Sequence, residues 1–209
     1  MTGDRRKFRR EGEEKRRDAL VAAALELVSE GGLEAATVRA IAERAGVTPG
    51  LIRHYFDSKE ALTRAAFGRM MAHMTEISLE AAGEAGSDPL ARLVAYVRAS
   101  FRPPVLEPGR IALWTGFMNA IRIDPDLRDV HREQYLHYRD LLQDLLMQIP
   151  GFADPARARS LAIACNAVID GLWMEGGMLP EVFDAGELER IALMSVGAIL
   201  GLRLEEDRG

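Results

Sequence analysis

The chain of 209 residues has one cysteine, Cys165, so neither an intrachain disulfide nor a thiolate zinc cluster can form, as befits a reducing compartment. Its neighbours Ala162, Ala164, Ala167 and Val168 suit a buried packing thiol rather than a nucleophile. No apolar run approaches the roughly 20 residues that span a bilayer. The N-terminus is too charged for a secretory signal, so a cytoplasmic, soluble protein with no membrane partner is expected. No segment alternates apolar and polar residues around a hairpin turn, so strands are not expected. HExxH, a glycine-rich phosphate loop and G-x-S-x-G are all absent, and neither an enzyme nor a cofactor is expected.

What is present is helical periodicity. Leu20, Ala24 and Leu27/Val28 set an amphipathic helix over about residues 14–30, which Gly31-Gly32 ends. Val38, Ile41, Ala42 and Ala45 set a short second helix, stopped by Gly46. A third starts at Thr48-Pro49, with Thr48 able to cap its free amides. A longer helix follows from near Ser58 to about Ala82. Asp88-Pro89, Asp124-Pro125 and Asp154-Pro155 each place a capping carboxylate before a proline, predicting helices over about 88–101, 124–149 and 154–176. Two more are expected between Pro108 and Ile123 and over about 187–203. The fold class is all-α, with about nine helices and no internal repeat.

The net charge of −5 is unevenly spread. Residues 1–69 hold 14 Lys/Arg and 11 Asp/Glu, while the remainder hold 13 and 21. Eight of the basic side chains fall within residues 1–17. A basic front and an acidic body suggest two tasks in one chain, although a charge run by itself is also an ordinary solvated face. Three segments are expected: a basic flexible arm over 1–13, a short-helix segment over 14–60, and an acidic body over 61–209.

Two short helices joined by Ala45-Gly46-Val47 fit a helix-turn-helix, whose second helix enters the major groove. The stretch from Thr37 to Leu62, with its T…IA..AGV…HYF.SKE.L spacing, resembles the DNA-binding signature of the TetR family of bacterial repressors. That resemblance implies an all-α homodimer with a three-helix DNA-binding head and a helical ligand-binding and dimerisation body. It also implies a double-stranded DNA operator and a small-molecule effector that alters the separation of the heads. Ile41, Ala42, Ala45, Val47, Ile52 and Phe56 have the spacing of a small core. Thr37 and Thr48 stand at helix N-termini, where hydroxyls and amides suit phosphate oxygens. Arg39, His54, Tyr55 and Lys59 face outward, and the resemblance puts the last three near the DNA backbone. Lys59 opens the fourth helix, an unfavourable end for a cation, which a phosphate would offset. The remaining outward positions, Pro49, Gly50, Leu51 and Arg53, are the candidates for base reading. Many family members carry tyrosine where Arg53 stands, and its fork of donors suits either guanine or a phosphate.

In the body, Ala112 to Met118, Arg132 to Arg139 and Asp170-Gly171-Leu172-Trp173 resemble the C-terminal region of the BetI-type subgroup, which includes a choline-responsive repressor. Trp114, Phe117, Tyr135, Tyr138 and Trp173 offer aromatic faces beside Met118, and Asp170 and Glu175 offer negative charge. Such a set accepts a cationic, choline-like effector, with Asn119 and Asn166 as polar anchors. Aromatics at helical spacing also build plain core. Small residues on the last two helices (Ala158, Leu161, Ala162, Cys165, Val168 and Leu172, with Leu188, Ile191, Ala192, Ser195, Ile199 and Leu202) suit a four-helix dimer interface or intrachain packing. Two other functions remain open on the sequence alone. One is a helical protein-interaction adaptor without DNA binding. The other is a metal-dependent enzyme using Glu133 and His137, which share a helix face, near His131.

Overall fold

Asp88, Asp124 and Asp154 start three helices in the same way. In the structure, a computed structural model describing the backbone of residues 2–204 and the side chains of residues 12–204, Asp88 accepts from the amides of Leu90 and Ala91. Asp124 accepts from Asp126 and Leu127, and Asp154 from Ala156. Proline follows each cap, where the missing amide would have had no helical partner. The elements are α1 (Thr2–Ala35), α2 (Val38–Arg44), α3 (Pro49–Tyr55), α4 (Lys59–Glu84), α5 (Pro89–Ala99), α6 (Pro108–Ile123), α7 (Pro125–Met147), α8 (Pro155–Met178) and α9 (Glu187–Leu200). A short 3-10 turn spans Pro180–Val182, and there is no strand among the described residues. The expected all-α fold of about nine helices is the one observed.

Helix α1 departs from expectation at its start. Its backbone is helical from Thr2 rather than from near residue 14, so the segment read as a flexible arm continues the helix. Arginine, lysine and glutamate, which dominate this segment, are good helix formers. Contacts expected of the arm's side chains through Glu11 lie outside the described residues. The break at the other end falls where the glycines stand. Gly32, with φ 70° and ψ −175°, occupies a region that is essentially closed to other residues.

The chain forms two compact units, one of residues 1–70 and 112–131, the other of residues 71–111 and 132–209. In the first, Leu20, Ile41, Ile52, Leu62, Phe67, Phe117 and Leu127 are fully buried, each stabilising the fold by about 1.5–3 kcal/mol. The segment 112–131 packs closely on α1 and α4. A Cβ at Gly116 would lie 3.3 Å from Val28, and one at Gly68 would lie 3.2 Å from Val130. The rings of Phe67 and Phe117 are 4.7 Å apart.

In the second unit, Leu93, Tyr96, Leu142, Leu146, Ala158, Ala162, Cys165 and Ala192 form the core. Glu189 of α9 joins the end of α5 by pairing with Arg98 and Arg102, each at 2.8 Å. The residues quoted for a dimer face need correction here. Ala158, Ala162, Cys165, Leu188 and Ala192 are buried within the chain itself, and the rest of that set is half-buried. A neighbouring stripe on α8 is the exposed one: Ser160, Ile163, Ala167, Gly171, Met174 and Met178, at intervals of three and four. Arg190, Met194 and Ala198 continue it on α9. Both stripes are small and apolar, so composition does not distinguish the face that packs inward.

No helix among the described residues is long and apolar enough to cross a membrane. Phe67→Ala removes a fully buried ring from the first unit and should cost about 3–5 kcal/mol, read as a lowered denaturant midpoint.

Candidate nucleic-acid interface and effector site

Gly46 makes the turn between α2 and α3. With φ 66° it adopts the left-handed conformation that an L side chain resists, and its amide bonds back to the Glu43 carbonyl. Ile41, Ala42, Ile52 and Phe56 are buried beneath the two helices, and Ala45 and Val47 are half-buried. The opposite side of the pair is open: Thr37, Arg39, Thr48, Pro49, Gly50, Arg53 and His54 are exposed, and Leu51 and Tyr55 partly so. Thr37 caps α2, its hydroxyl accepting from the Ala40 amide at 3.2 Å. Thr48 does not behave as expected. It occupies the capping position of α3 but makes no side-chain cap bond, because the Leu51 amide is taken by its backbone carbonyl instead. Arg39 and Arg53 have no ion-pair partner among the described residues, whereas Arg44 is held by Glu26 at 3.1 Å and Glu30 at 2.8 Å. That clamp fixes α2 to α1, and the Glu30 hydrogen bond raises the guanidinium's already high pKa.

Lys59 is half-buried, and its ammonium donates to the Leu33 carbonyl at 3.4 Å, just past the break in α1. The charge at the start of α4 thus has a partner inside the chain. Ser58 caps that helix through the Ala61 amide, and Glu60 supplies the acid that its first turn favours.

Residues expected around an effector fall in both units. In the first, Phe117 is fully buried against Phe67, Trp114 and Met118 are half-buried, and Asn119 is exposed. In the second, Tyr135, Asn166 and Asp170 come together. The Tyr135 hydroxyl donates to Asp170 Oδ2 at 2.7 Å, and the Asn166 amide donates to the same oxygen at 2.9 Å and to the Tyr135 oxygen at 2.7 Å. Burial raises the Asp170 pKa, an effect the Tyr135 and Asn166 donors partly offset. Burial, followed by the bond to Asp170, pushes the Tyr135 hydroxyl up to about 12, so it remains a donor at neutral pH. Asn166 is 2% exposed, and its Oδ1 is buried with no hydrogen-bond partner among the described residues. Tyr138 shares a 2.9 Å hydrogen bond with Ser100, and Trp173 donates its indole N–H to the Val105 carbonyl at 3.0 Å. A separate groove of about 720 Å³ in this unit, along α5, is lined by none of these residues.

Residues 89–201 match the C-terminal family described as "BetI-type transcriptional repressor, C-terminal", and residues 20–66 match "Bacterial regulatory proteins, tetR family". The chain belongs to the TetR family. The HTH-type transcriptional regulator BetI of Burkholderia thailandensis is 30% identical over 188 residues, covering 90% of this chain and 95% of its own. A transcriptional regulator from Pseudomonas aeruginosa PAO1 is 31% identical with a TM-score of 0.79, over 90% of this chain and 92% of that one. A regulator from Saccharomonospora viridis, crystallised in complex with choline, shares the fold at 18% identity and a TM-score of 0.70, over 86% of this chain and 94% of that one.

This TetR-family chain is a transcriptional regulator with a helix-turn-helix DNA-binding domain, and the matched families are regulators, not enzymes. The adaptor and metal-enzyme readings lapse accordingly. Glu133 and His137 are exposed, and the half-buried His131, its pKa lowered by burial, packs near Phe67. No group of three acidic, histidine or cysteine side chains among the described residues is placed to hold a metal. Sequence reasoning missed Ser100 and the Glu26–Arg44–Glu30 clamp of this regulator. Both pair residues that no local spacing connects.

Proposed function

We propose that the chain binds a palindromic operator as a homodimer and is released by a small cationic effector, acting as a repressor in the cytoplasm. The observation that carries this reading is the exposed row on α2 and α3. Its outward positions offer hydroxyls, the two guanidinium groups of Arg39 and Arg53, and an apolar side chain over a base sealed by Ile41, Ile52 and Phe56. Thr37, Arg39, Thr48, His54, Tyr55 and Lys59 serve the phosphates, and Pro49, Gly50, Leu51 and Arg53 face the groove. The description of the C-terminal match as a repressor supports the sign of regulation.

For the effector, the reading rests on Asp170, a half-buried carboxylate held in a fixed direction by two donors. Tyr135, Tyr138, Asn166 and Trp173 of the same unit complete the proposed set. Choline, the ligand of the Saccharomonospora protein, belongs to the class that such a carboxylate attracts. An effector releases DNA only if it binds the two states unequally. The homodimer is supported by the exposed α8–α9 stripe, on which Met178 and Met194 are 58% and 56% exposed.

The direct test is retention of DNA from upstream of the chain's own gene in a gel shift, followed by release with a panel of choline, betaines, polyamines and aromatic acids. No specific complex at moderate salt would end the reading. Arg53→Ala separates its two roles, since a lost base contact relaxes one position of each half-site and a lost phosphate contact weakens all sequences alike. Gly171 is exposed with no atom within 4 Å of an added Cβ, so Gly171→Glu leaves the monomer intact and should convert dimer to monomer by light scattering. Only ionised Asp170 attracts a cation, so effector affinity falls as pH drops through its raised pKa and is flat above it. Asp170→Asn should weaken cation binding about tenfold or more and abolish that pH dependence, as read by calorimetry.

A further inference from the structure

Asn166 is the most deeply buried member of the Tyr135–Asn166–Asp170 cluster, and its amide is used at one end only. The nitrogen donates to Asp170 Oδ2 at 2.9 Å and to the Tyr135 oxygen at 2.7 Å. Asp170 Oδ2 also accepts the Tyr135 proton. Turning the amide over would set its oxygen against a carboxylate oxygen with no proton to give. The hydrogen bonds therefore fix the group in one orientation, with Nδ2 on Asp170 and Oδ1 on the other side.

That Oδ1 is buried and accepts no hydrogen bond among the described residues. The chain has little to offer it. About one turn to either side on α8 stand Ala162 and Ile169, both buried and apolar. The donors of the proposed set are committed elsewhere: Tyr135 to Asp170, and the Trp173 indole to the Val105 carbonyl. The hydroxyls of Tyr138 and Ser100 share a bond with each other. An amide oxygen so placed forfeits the bond that water makes to it in the unfolded chain, and folding leaves that cost uncompensated.

The cluster thus presents two unlike groups side by side. Asp170 offers negative charge, and Asn166 Oδ1 offers a neutral acceptor that no described residue fills. Both flank one amide nitrogen, so a small molecule can span them. A bare cation answers the first group and leaves the second unmet. A cation that also carries an O–H or N–H answers both.

We propose that Asn166 is a specificity-determining residue of the effector site, its Oδ1 receiving a hydrogen bond from a hydroxyl or N–H a few bonds away from the effector's positive centre. This rests on the cationic reading of the Asp170 site and adds a second requirement to it. Charge draws cations in, and the donor decides which of them hold. Tyr135 and Asp170 act here as positioning residues, fixing the amide nitrogen so that the oxygen stays presented.

Cations of matched size separate the two requirements in the full chain. Choline, its O-methyl ether and propyltrimethylammonium carry the same charged group. The ether keeps the oxygen without its proton, and the propyl compound replaces the hydroxyl by a methyl. In calorimetry the unaltered chain should bind choline about ten- to a hundredfold more tightly than either, the loss expected when a buried acceptor is left without a donor. Asn166→Leu removes the acceptor and should bind the propyl compound at least as tightly as choline. Only the ratio of affinities is read, so a change in overall cation affinity does not enter, and thermal unfolding checks the fold. Asn166→Ala serves in the same comparison should the leucine variant not fold. Equal affinities of the three cations for the unaltered chain overturn the inference, as a trapped water already filling Oδ1 would produce. A folded variant that still prefers choline as strongly overturns it too. If none of the three cations binds, the cationic reading of Asp170 fails, and this inference with it.

Discussion

A seven-residue helix makes too few hydrogen bonds to persist in water, and the helix-turn-helix of this regulator consists of two. Their persistence is borrowed from longer helices. Leu20 of α1, Leu62 and Phe67 of α4 and Phe117 of α6 are fully buried in the same unit as Ile41 and Ile52. With the inner side so occupied, the outer side of α2 and α3 is relieved of any packing duty and carries polar and flexible side chains. The Arg44 clamp adds direction to this arrangement: guanidinium bonds to two carboxylates orient α2 on α1 more than they stabilise it.

In the second unit the governing constraint is the burial of a carboxylate. Asp170 is kept tolerable by the Tyr135 hydroxyl and the Asn166 amide, which converge on one of its oxygens. Burial makes the folded state hold the proton more tightly than the unfolded state does. Its contribution to stability therefore declines as pH rises from the ordinary aspartate value through the raised one. A cation nearby reverses that penalty, which gives ligand binding and folding a common electrostatic basis.

Helix starts and stops were legible because each has a local cause. Asp88-Pro89, Asp154-Pro155 and the glycines at 31, 32 and 46 act within a few residues of where they stand. The helix-turn-helix was legible as a whole, from spacing and from family resemblance. Properties that depend on distant residues were not. Thr48 has the chemistry of a cap, yet the local backbone leaves its side chain unused. Phe117 looks like a ligand-facing aromatic in sequence and is core because Phe67, fifty positions earlier, packs on it. The two stripes of α8 differ in which one other helices cover, and no residue type records that. The Tyr135–Asn166–Asp170 cluster was only half visible: the residues could be named, but the hydrogen bonds depend on how α7 and α8 meet.

Residues 112–131 have a consequence for how recognition units are exchanged. A helix-turn-helix is usually treated as portable, cut at one point and joined to another body. Here the compact unit that contains it is completed by a segment encoded well downstream, with Gly116 against Val28 and Phe117 against Phe67. A single crossover after α4 begins would transfer the outward residues and leave their support behind. The heritable module for reading DNA is discontinuous in this gene, and recombination can move it intact only with two cuts or into a host whose own α6 offers a matching ring.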